Sequence, residues 1–412
     1  MINVSDYNYE DFCATKQKPF FFKLRKVSIF FVFLYYFFNT FLNYLGYINV
    51  ISIPSFKPLF FLALLVCLAN FTEFKKLSLS RKEFFLFTII IFGLFLFPIF
   101  SDYVSIINFM EEYIFGFINP FLLVALGFLF GKIINNKFIY LFLILMFVEF
   151  VLFVYFDYLY RFDMLQFTRI SGAFNHGVAD NLIIASILAI VITKKTLKLL
   201  IIILSIFAIA FTGSFSSFVF YMITFGIFLT IDRRKKLRLP YIRLRNMIFL
   251  TIIFLAIFLL IILGYLEPFF YSISSLIDRL TRVVEMKDLS LKARIFQFEV
   301  GFKIISENIL VGSWNYYIPI LGEGNYMHNV FSWWANYGLS TFLSIIGLIF
   351  LSFIKLNRFM KTNYYVISEA LFYVLLFVFL QMLFVRSHTY SYIWLILGII
   401  LGHTNKLKES TG

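Results

Sequence analysis

Residues 138–156 read Phe138-Ile139-Tyr140-Leu141-Phe142-Leu143-Ile144-Leu145-Met146-Phe147-Val148-Glu149-Phe150-Val151-Leu152-Phe153-Val154-Tyr155-Phe156, with Glu149 the single carboxylate in the run. A helix needs ~20 apolar residues to cross a bilayer core. A transmembrane barrel strand would instead alternate in polarity over about 10 residues. The run is continuous, so it reads as a membrane helix. Blocks of the same kind lie at about 27–48, 57–72, 84–101, 113–131, 181–193, 197–212, 215–231, 247–266, 338–354, 365–385 and 390–402. The chain is 61% hydrophobic and 14% charged, against roughly 25% charged in soluble proteins. These features predict an all-α, polytopic transmembrane bundle of about 12 spans, a single integral membrane domain over residues 1–412. The stretch 102–112 reads as a partial or interfacial helix before the fourth span.

Charge sets the expected topology. With the N-terminus in the cytosol, the segments that fall inside hold 26 of the 36 Lys and Arg residues, as the positive-inside rule requires. An even number of spans returns the C-terminus to the same side. The net charge of +14 is then largely topogenic, and the run Arg233–Lys236 is no sign of nucleic-acid binding. Two outer segments stand out, a large one at 267–337 and a smaller one at 157–180. Cys13 and Cys67 form neither a disulfide framework nor a metal motif. No cleavable signal is evident, and the first apolar block reads as an uncleaved span. The 61 Phe and 25 Tyr residues read as AT-rich coding bias, with Phe replacing Leu as lipid-facing bulk.

Ten basic residues remain. Lys57 borders the second span. Arg161, Arg169, Arg279, Arg282, Lys287, Lys292, Arg294, Lys303 and Arg386 fall in or beside outer segments. Acidic neighbours account for them, or an anionic ligand at the outer face does. From Arg294 the apolar positions Ile295, Phe298, Phe302, Ile305 and Ile309 recur at helical spacing. Such a helix either lies flat with its apolar face on the membrane or caps the bundle, with Arg294 at its start facing the membrane–water boundary. Next come Gly312 and Pro319, then Gly322-Glu323-Gly324-Asn325-Tyr326-Met327-His328-Asn329, then Trp333, Trp334 and Tyr337, and Gly338 opens the tenth span. Interfacial aromatics put His328 at headgroup height. There an imidazole either exchanges a proton or makes a structural hydrogen bond.

In the smaller outer segment Arg169 is either a bidentate phosphate clamp or the salt-bridge partner of Asp163 or Asp180. The turn Thr212–Ser217 reads as a satisfied polar hairpin. Arg386, Ser387 and His388 form a third outer cluster. Glu149 is a functional candidate by its position in a span, or structural if a Tyr meets it near the outer end. His, Cys and carboxylates show no metal-ligand spacing, and there is no P-loop or GxGxxG. No metal or nucleotide cofactor is expected.

The pattern Arg294…Gly312…Gly322-x-Gly324…His328-Asn329…Gly338 resembles the signature loop of bacterial O-antigen polymerases and O-antigen ligases. These are integral membrane glycosyltransferases acting on undecaprenyl-diphosphate-linked glycans at the periplasmic face. Arg169 and Gly172 are similar to the Arg-x-x-Gly that begins the family's earlier periplasmic loop. Two departures stand beside the match. The spacer Val330–Tyr337 is one residue shorter than the ligase pattern, and Phe215 replaces the Arg of the family's Thr-x-Ser-Arg turn.

The resemblance implies an O-antigen polymerase in the bacterial inner membrane, multi-pass, with both termini cytoplasmic. It implies inverting, metal-independent transfer of one lipid-linked repeat unit onto another, with no cofactor. His328 would take the acceptor's proton. Arg169, Arg294 and Arg386 would hold the diphosphate, with Asn329 beside the glycan fixing the loop. Gly172, Gly322, Gly324 and Gly338 would shape the loops. Partners would be the undecaprenyl-diphosphate-linked oligosaccharide, the bilayer and a chain-length regulator protein, with no nucleic acid. A ligase transferring glycan to lipid A–core would use the same residues. A lipid-linked oligosaccharide flippase is the alternative of another class; it calls for internal repeats and broken midplane helices, which the sequence does not display.

Overall fold

The computed structural model describes residues 19–47, 57–96, 106–164, 172–193, 195–212, 214–234, 281–282, 285, 287, 289–314, 317–322, 327–360, 365–386 and 388–411. Among the described residues all regular structure is helical. In chain order the helices are α1 (Pro19–Tyr47), α2 (Lys57–Ala69), α3 (Phe71–Phe74), α4 (Arg81–Leu96), α5 (Ile106–Ile133), α6 (Asn136–Met164) and α7 (Gly172–Ile192). They continue with α8 (Lys195–Phe211), α9 (Phe215–Arg234), α10 (Leu289–Glu307), α11 (Ile318–Leu321), α12 (Phe331–Phe359), α13 (Tyr365–Phe384) and α14 (Tyr392–Thr411).

Four helices are long and apolar enough to cross a membrane: Arg25–Tyr47, Asn136–Phe156, Phe331–Phe359 and Val366–Phe384. Shorter apolar helices lie at Ile118–Ile133, His176–Ile192, Leu197–Ala210 and Phe215–Leu229. The expectation of twelve full crossings is therefore met in part among the described residues. The block at 247–266 lies outside the described residues.

Several boundaries move. α5 runs unbroken through Pro120 from Ile106, so 106–112 belongs to the helix of the fourth block. α7 begins at Gly172 and α6 continues to Met164. Most of the expected outer segment 157–180 is thus helix, with only 165–171 between the two. Caps explain some starts. Ser80 and Glu83 form a capping box, with Ser80 N–H donating to Glu83 Oε2 at 2.9 Å and Glu83 N–H to Ser80 Oγ at 3.3 Å. Asn135 Oδ1 accepts from Phe138 N–H at 3.1 Å and starts α6.

The closest helix pair is α5 with α14. Gly127 and Gly131 on α5, and Gly398 and Gly402 on α14, each repeat at four residues and interleave. A Cβ on Gly402 would sit 2.0 Å from Phe128 O, and one on Gly131 would sit 2.2 Å from Ile399 O. Glycines at this spacing bring helix backbones into direct contact, the usual device where lipid removes the hydrophobic drive between helices. Aromatic rings fill the core beside this pair: Phe33 stacks on Phe130 at 3.7 Å between centroids, and Phe37 meets Phe142 edge-on at 4.7 Å. Phe is therefore not only lipid-facing bulk. Phe33, Phe37, Phe128, Phe130, Phe142 and Phe377 are fully buried, whereas Phe31, Phe61, Phe84 and Phe85 lie on the outside of the bundle.

One end of the bundle collects ion pairs. Glu73 on α3 binds Arg25 at 3.2 Å and Lys132 at 3.1 Å, and Lys132 also reaches Glu409 at 2.8 Å. Glu83 pairs with Lys355. These residues come from ends of α1, α4, α5, α12 and α14 that the charge count assigns to one side. A second polar network, described below, is centred on α7 and draws on α1, α6, α9, α13 and α14.

A test of the helix contact follows. Gly402→Ala and Gly131→Ala should each destabilise the protein by about 1–3 kcal/mol through overpacking. Gly226→Ala, with nothing within 4 Å of its Cβ position, should leave stability unchanged or raise it slightly through better helix propensity. Thermal unfolding of the purified protein in detergent measures the difference.

Candidate functional site

Asp180 is the centre of the polar end. It sits in α7 with 1% of its surface exposed. A carboxylate so placed must be met by donors or a counter-charge. Four side chains meet it. Ser217 Oγ from α9 donates to Oδ1 at 2.7 Å, and Gln381 Nε2 from α13 donates to the same oxygen at 3.3 Å. Arg386 Nη2 donates to Oδ2 at 2.8 Å, and Tyr390 OH to Oδ2 at 3.3 Å. Breaking one partner out of such a buried pair costs about 3–5 kcal/mol. Ser217 is bonded on to Ser214 at 2.8 Å, and Ser214 to His176. Within the Thr212–Ser217 turn, Ser214 and Ser217 are thus satisfied partly through α7, whereas the buried Ser216 hydroxyl has no partner among the described residues.

The next residue extends the network across the bundle. Asn181 Nδ2 donates to Phe37 O on α1 at 2.8 Å and to both Glu149 oxygens on α6, at 3.2 and 3.1 Å. Tyr392 OH donates to Asn181 Oδ1. Glu149 therefore has an amide partner from α7, not the direct Tyr contact that a structural role was expected to show. Asp180 and Asn181 were not among the expected site residues. The signal was available in the sequence, since an Asp-Asn pair opens the apolar run of α7.

The segment Met327–Val330 leads into α12. Asn329 Oδ1 accepts from Phe331 N–H at 3.0 Å, an Asx turn that sets the entry to the helix. Gly338, with φ 75° and ψ 171°, divides α12 into two helical stretches, and the longer one begins directly after it. Gly312, with φ 74°, is packed against it: a Cβ on Gly338 would lie 2.1 Å from Leu310 O, and one on Gly312 would lie 2.5 Å from Gly338 N. Both positions demand glycine, for the positive φ and for the close backbone approach. The strand-like contact is closed by Ser313 N–H to Ala335 O at 2.7 Å and Leu339 N–H to Ile309 O at 3.1 Å. Gly322 also has positive φ, 82°. Gly324 lies outside the described residues, as does Arg169. Gly172 is the first residue of α7.

α10 differs from expectation in an informative way. Arg294 lies inside the helix, which starts at Leu289, and the helix is rotated. Gln297, Gly301 and Ile305 form its buried stripe, with Arg294 half-buried on the same side. Ile295, Phe298 and Phe302 are exposed. The reason is the small cluster of Ile305, Tyr317, Met327 and Ala335, which packs this side of α10 onto α12. Arg294 thereby lies half-buried on the side of α10 that packs on α12.

These elements converge on His328. Burial lowers its pKa first, and the charges of Arg294 and then Arg386 lower it further, to about 4; a hydrogen bond with the Val385 backbone opposes them. His388 is pushed down to about 3 by burial and by His328. Its backbone N–H donates to Ser332 Oγ at 2.7 Å, and its ring lies 6.2 Å from Trp333 and 6.0 Å from Tyr337. Both imidazoles are neutral at pH 7, and burial and the nearby positive charge disfavour their protonation. The charges of Arg294 and Arg386 are thus felt at His328, which links three of the expected site residues from three separate segments. Asp180, one of the two carboxylates the sequence offered to Arg169, pairs with Arg386. No group of His, Cys, Asp and Glu able to hold a metal ion occurs among the described residues.

The depressed pKa of His328 has a sign for stability. The unfolded chain, with a His pKa of ~6.5, binds the proton before the folded chain does. Its contribution is complete above pH ~6.5 and is lost as pH falls toward 4. The thermal midpoint should therefore drop between pH 7 and pH 4, and less steeply in His328→Gln. Arg294→Gln should move the His328 titration upward, read from its ring signals by NMR; an unmoved titration would show that Arg294 does not act on it. In comparison with known proteins, no family model and no curated protein matches the chain, so the reading of this end rests on its own residues.

Proposed function

We propose that the protein is a membrane glycosyltransferase that polymerises oligosaccharide repeat units carried on undecaprenyl diphosphate. The supporting observation is the convergence of two arginines on a neutral His328. A neutral imidazole beside fixed positive charge suits a reaction in which a hydroxyl loses its proton while a diphosphate departs. In this reading the protein is a polytopic protein of the bacterial inner membrane, its Asp180 end periplasmic and its termini cytoplasmic.

The acceptor hydroxyl oxygen attacks the anomeric carbon of the donor sugar, and the bond from that carbon to the diphosphate oxygen breaks with inversion. His328 receives the hydroxyl proton. Arg294 and Arg386, with Arg169, stabilise the negative charge that develops on the leaving diphosphate. The activated donor supplies the driving force. Asn329 holds the entry to α12 through its Asx turn, and Gly312 and Gly338 set the height of that entry against α10.

His328→Ala should lower polymer formation by roughly 10²–10⁴-fold, the usual contribution of a general base. It should also collapse the long-chain lipopolysaccharide ladder of a host that depends on this protein. A normal ladder at normal expression would overturn the role. Arg294→Lys should impair activity although charge is kept, because Lys lacks the planar fork. A host lacking the protein separates the related activities: single-repeat caps on lipid A–core mean a lost polymerase. Free lipid-linked polymer means a lost ligase, and repeat units left on the cytoplasmic side mean a lost flippase.

A further inference from the structure

We infer that Asp180 is a positioning residue for Arg386, aiming its guanidinium at the diphosphate of the lipid-linked donor. The inference rests on the glycosyltransferase reading for what that anion is, and on the geometry of α7, α9 and α13 for how Arg386 is held.

Arg386 follows the end of α13 in a short connection to α14. Left to itself, a long cationic side chain on such a connection samples many rotamers. Here Nη2 is anchored 2.8 Å from Asp180 Oδ2. The carboxylate is itself immobilised by Ser217 at 2.7 Å, Gln381 at 3.3 Å and Tyr390 at 3.3 Å. Tyr390 adds a second restraint, with the guanidinium carbon 5.6 Å from its ring centroid. Asp180 thus spends its oxygens on donors from α9, α13 and the α13–α14 connection. Arg386 Nε stays buried without a hydrogen-bond partner among the described residues, and 17% of the side chain remains open to solvent. The arrangement is that of a cation fixed from behind by a carboxylate, with donor capacity left over. Such fixing matters for catalysis because a misplacement of about 1 Å can cost about 100-fold in rate.

The pairing also neutralises the net charge of Arg386. Asp180 therefore contributes orientation at the expense of long-range attraction. This gives a signature that a purely structural ion pair lacks. Asp180→Asn leaves Arg386 charged but loose: kcat should fall by about 100-fold and protection against heat by undecaprenyl diphosphate should shrink, although the net positive charge beside the anion has risen. Asp180→Glu should recover about a tenth or more of the wild-type kcat by restoring the carboxylate. Ser217→Ala, which alters neither charged partner, should lower kcat several-fold.

The deciding experiment is a double-mutant cycle on purified full-length protein in detergent. Two quantities are measured: repeat-unit joining from lipid-linked donor, and protection against heat by undecaprenyl diphosphate alone. In the Arg386→Gln background, Asp180→Asn and Ser217→Ala should each cost less than twofold in kcat and no further loss of protection. Losses that multiply in the two backgrounds would overturn the inference, as would wild-type protein that joins repeat units but shows no Asp180-dependent protection. The two readings fail separately. Asp180-dependent protection with no joining would remove the polymerase reading and leave the positioning of Arg386 toward a lipid diphosphate intact.

Discussion

A carboxylate buried in an apolar helix bundle must be satisfied, and Asp180 imposes that condition on this protein. Its two oxygens take donors from α9, α13 and the α13–α14 connection. The neighbouring Asn181 binds α1, α6 and α14 in the same way. Two adjacent residues of α7 thus tie most of the bundle together at one end. Their cost is desolvation, which only a complete donor set offsets. The arrangement therefore tolerates little rotation of α7 about its axis. Arg386 owes its direction to this condition, and His328 owes part of its low pKa to Arg386.

Close backbone approach is the second recurring device. Between α5 and α14 it is repeated along the helices by Gly127, Gly131, Gly398 and Gly402. Between α10 and α12 it occurs once, where Gly312 meets the break at Gly338. In both places the missing side chain lets peptide groups pack directly, but the results differ. The first contact fixes two long helices. The second fixes the height at which Met327–Val330 leaves α10's neighbourhood and enters α12. The ion pairs of Glu73 and Glu83 close the other end. The bundle is consequently held by polar bonds at both ends and by glycine contacts and aromatic rings between them.

Reading the sequence alone identified the helical class and found Arg294, Arg386 and His328 as candidates. It did so because ionisable groups stand out against long apolar runs. For α10 the spacing left two partners open for the apolar side, the membrane surface or the bundle. Periodicity reports that a helix has two sides but not which neighbour is available. Tyr317, Met327 and Ala335 draw in the side with Gln297 and Ile305, and Ile295, Phe298 and Phe302 stay exposed. The sequence offered Asp180 as one of two nearby carboxylates for Arg169 and did not connect it with Arg386, its partner more than two hundred residues away. Span counting is limited for a related reason. Apolar blocks of intermediate length look alike in sequence whether they cross a bilayer or pack as short helices.

What the sequence by itself determined is the solvent each segment requires and the residues whose chemistry is out of place in it. Continuous apolar runs must leave water, and their backbones must hydrogen-bond internally, so helices follow. What only the tertiary structure decided is the pairing of those misplaced residues. Burial, rotation of α7 and α10, and the meeting of Gly312 with Gly338 depend on contacts between segments far apart in the chain. No local propensity carries that information, because the free energy that selects Arg386 for Asp180 exists only once α7, α9 and α13 have packed.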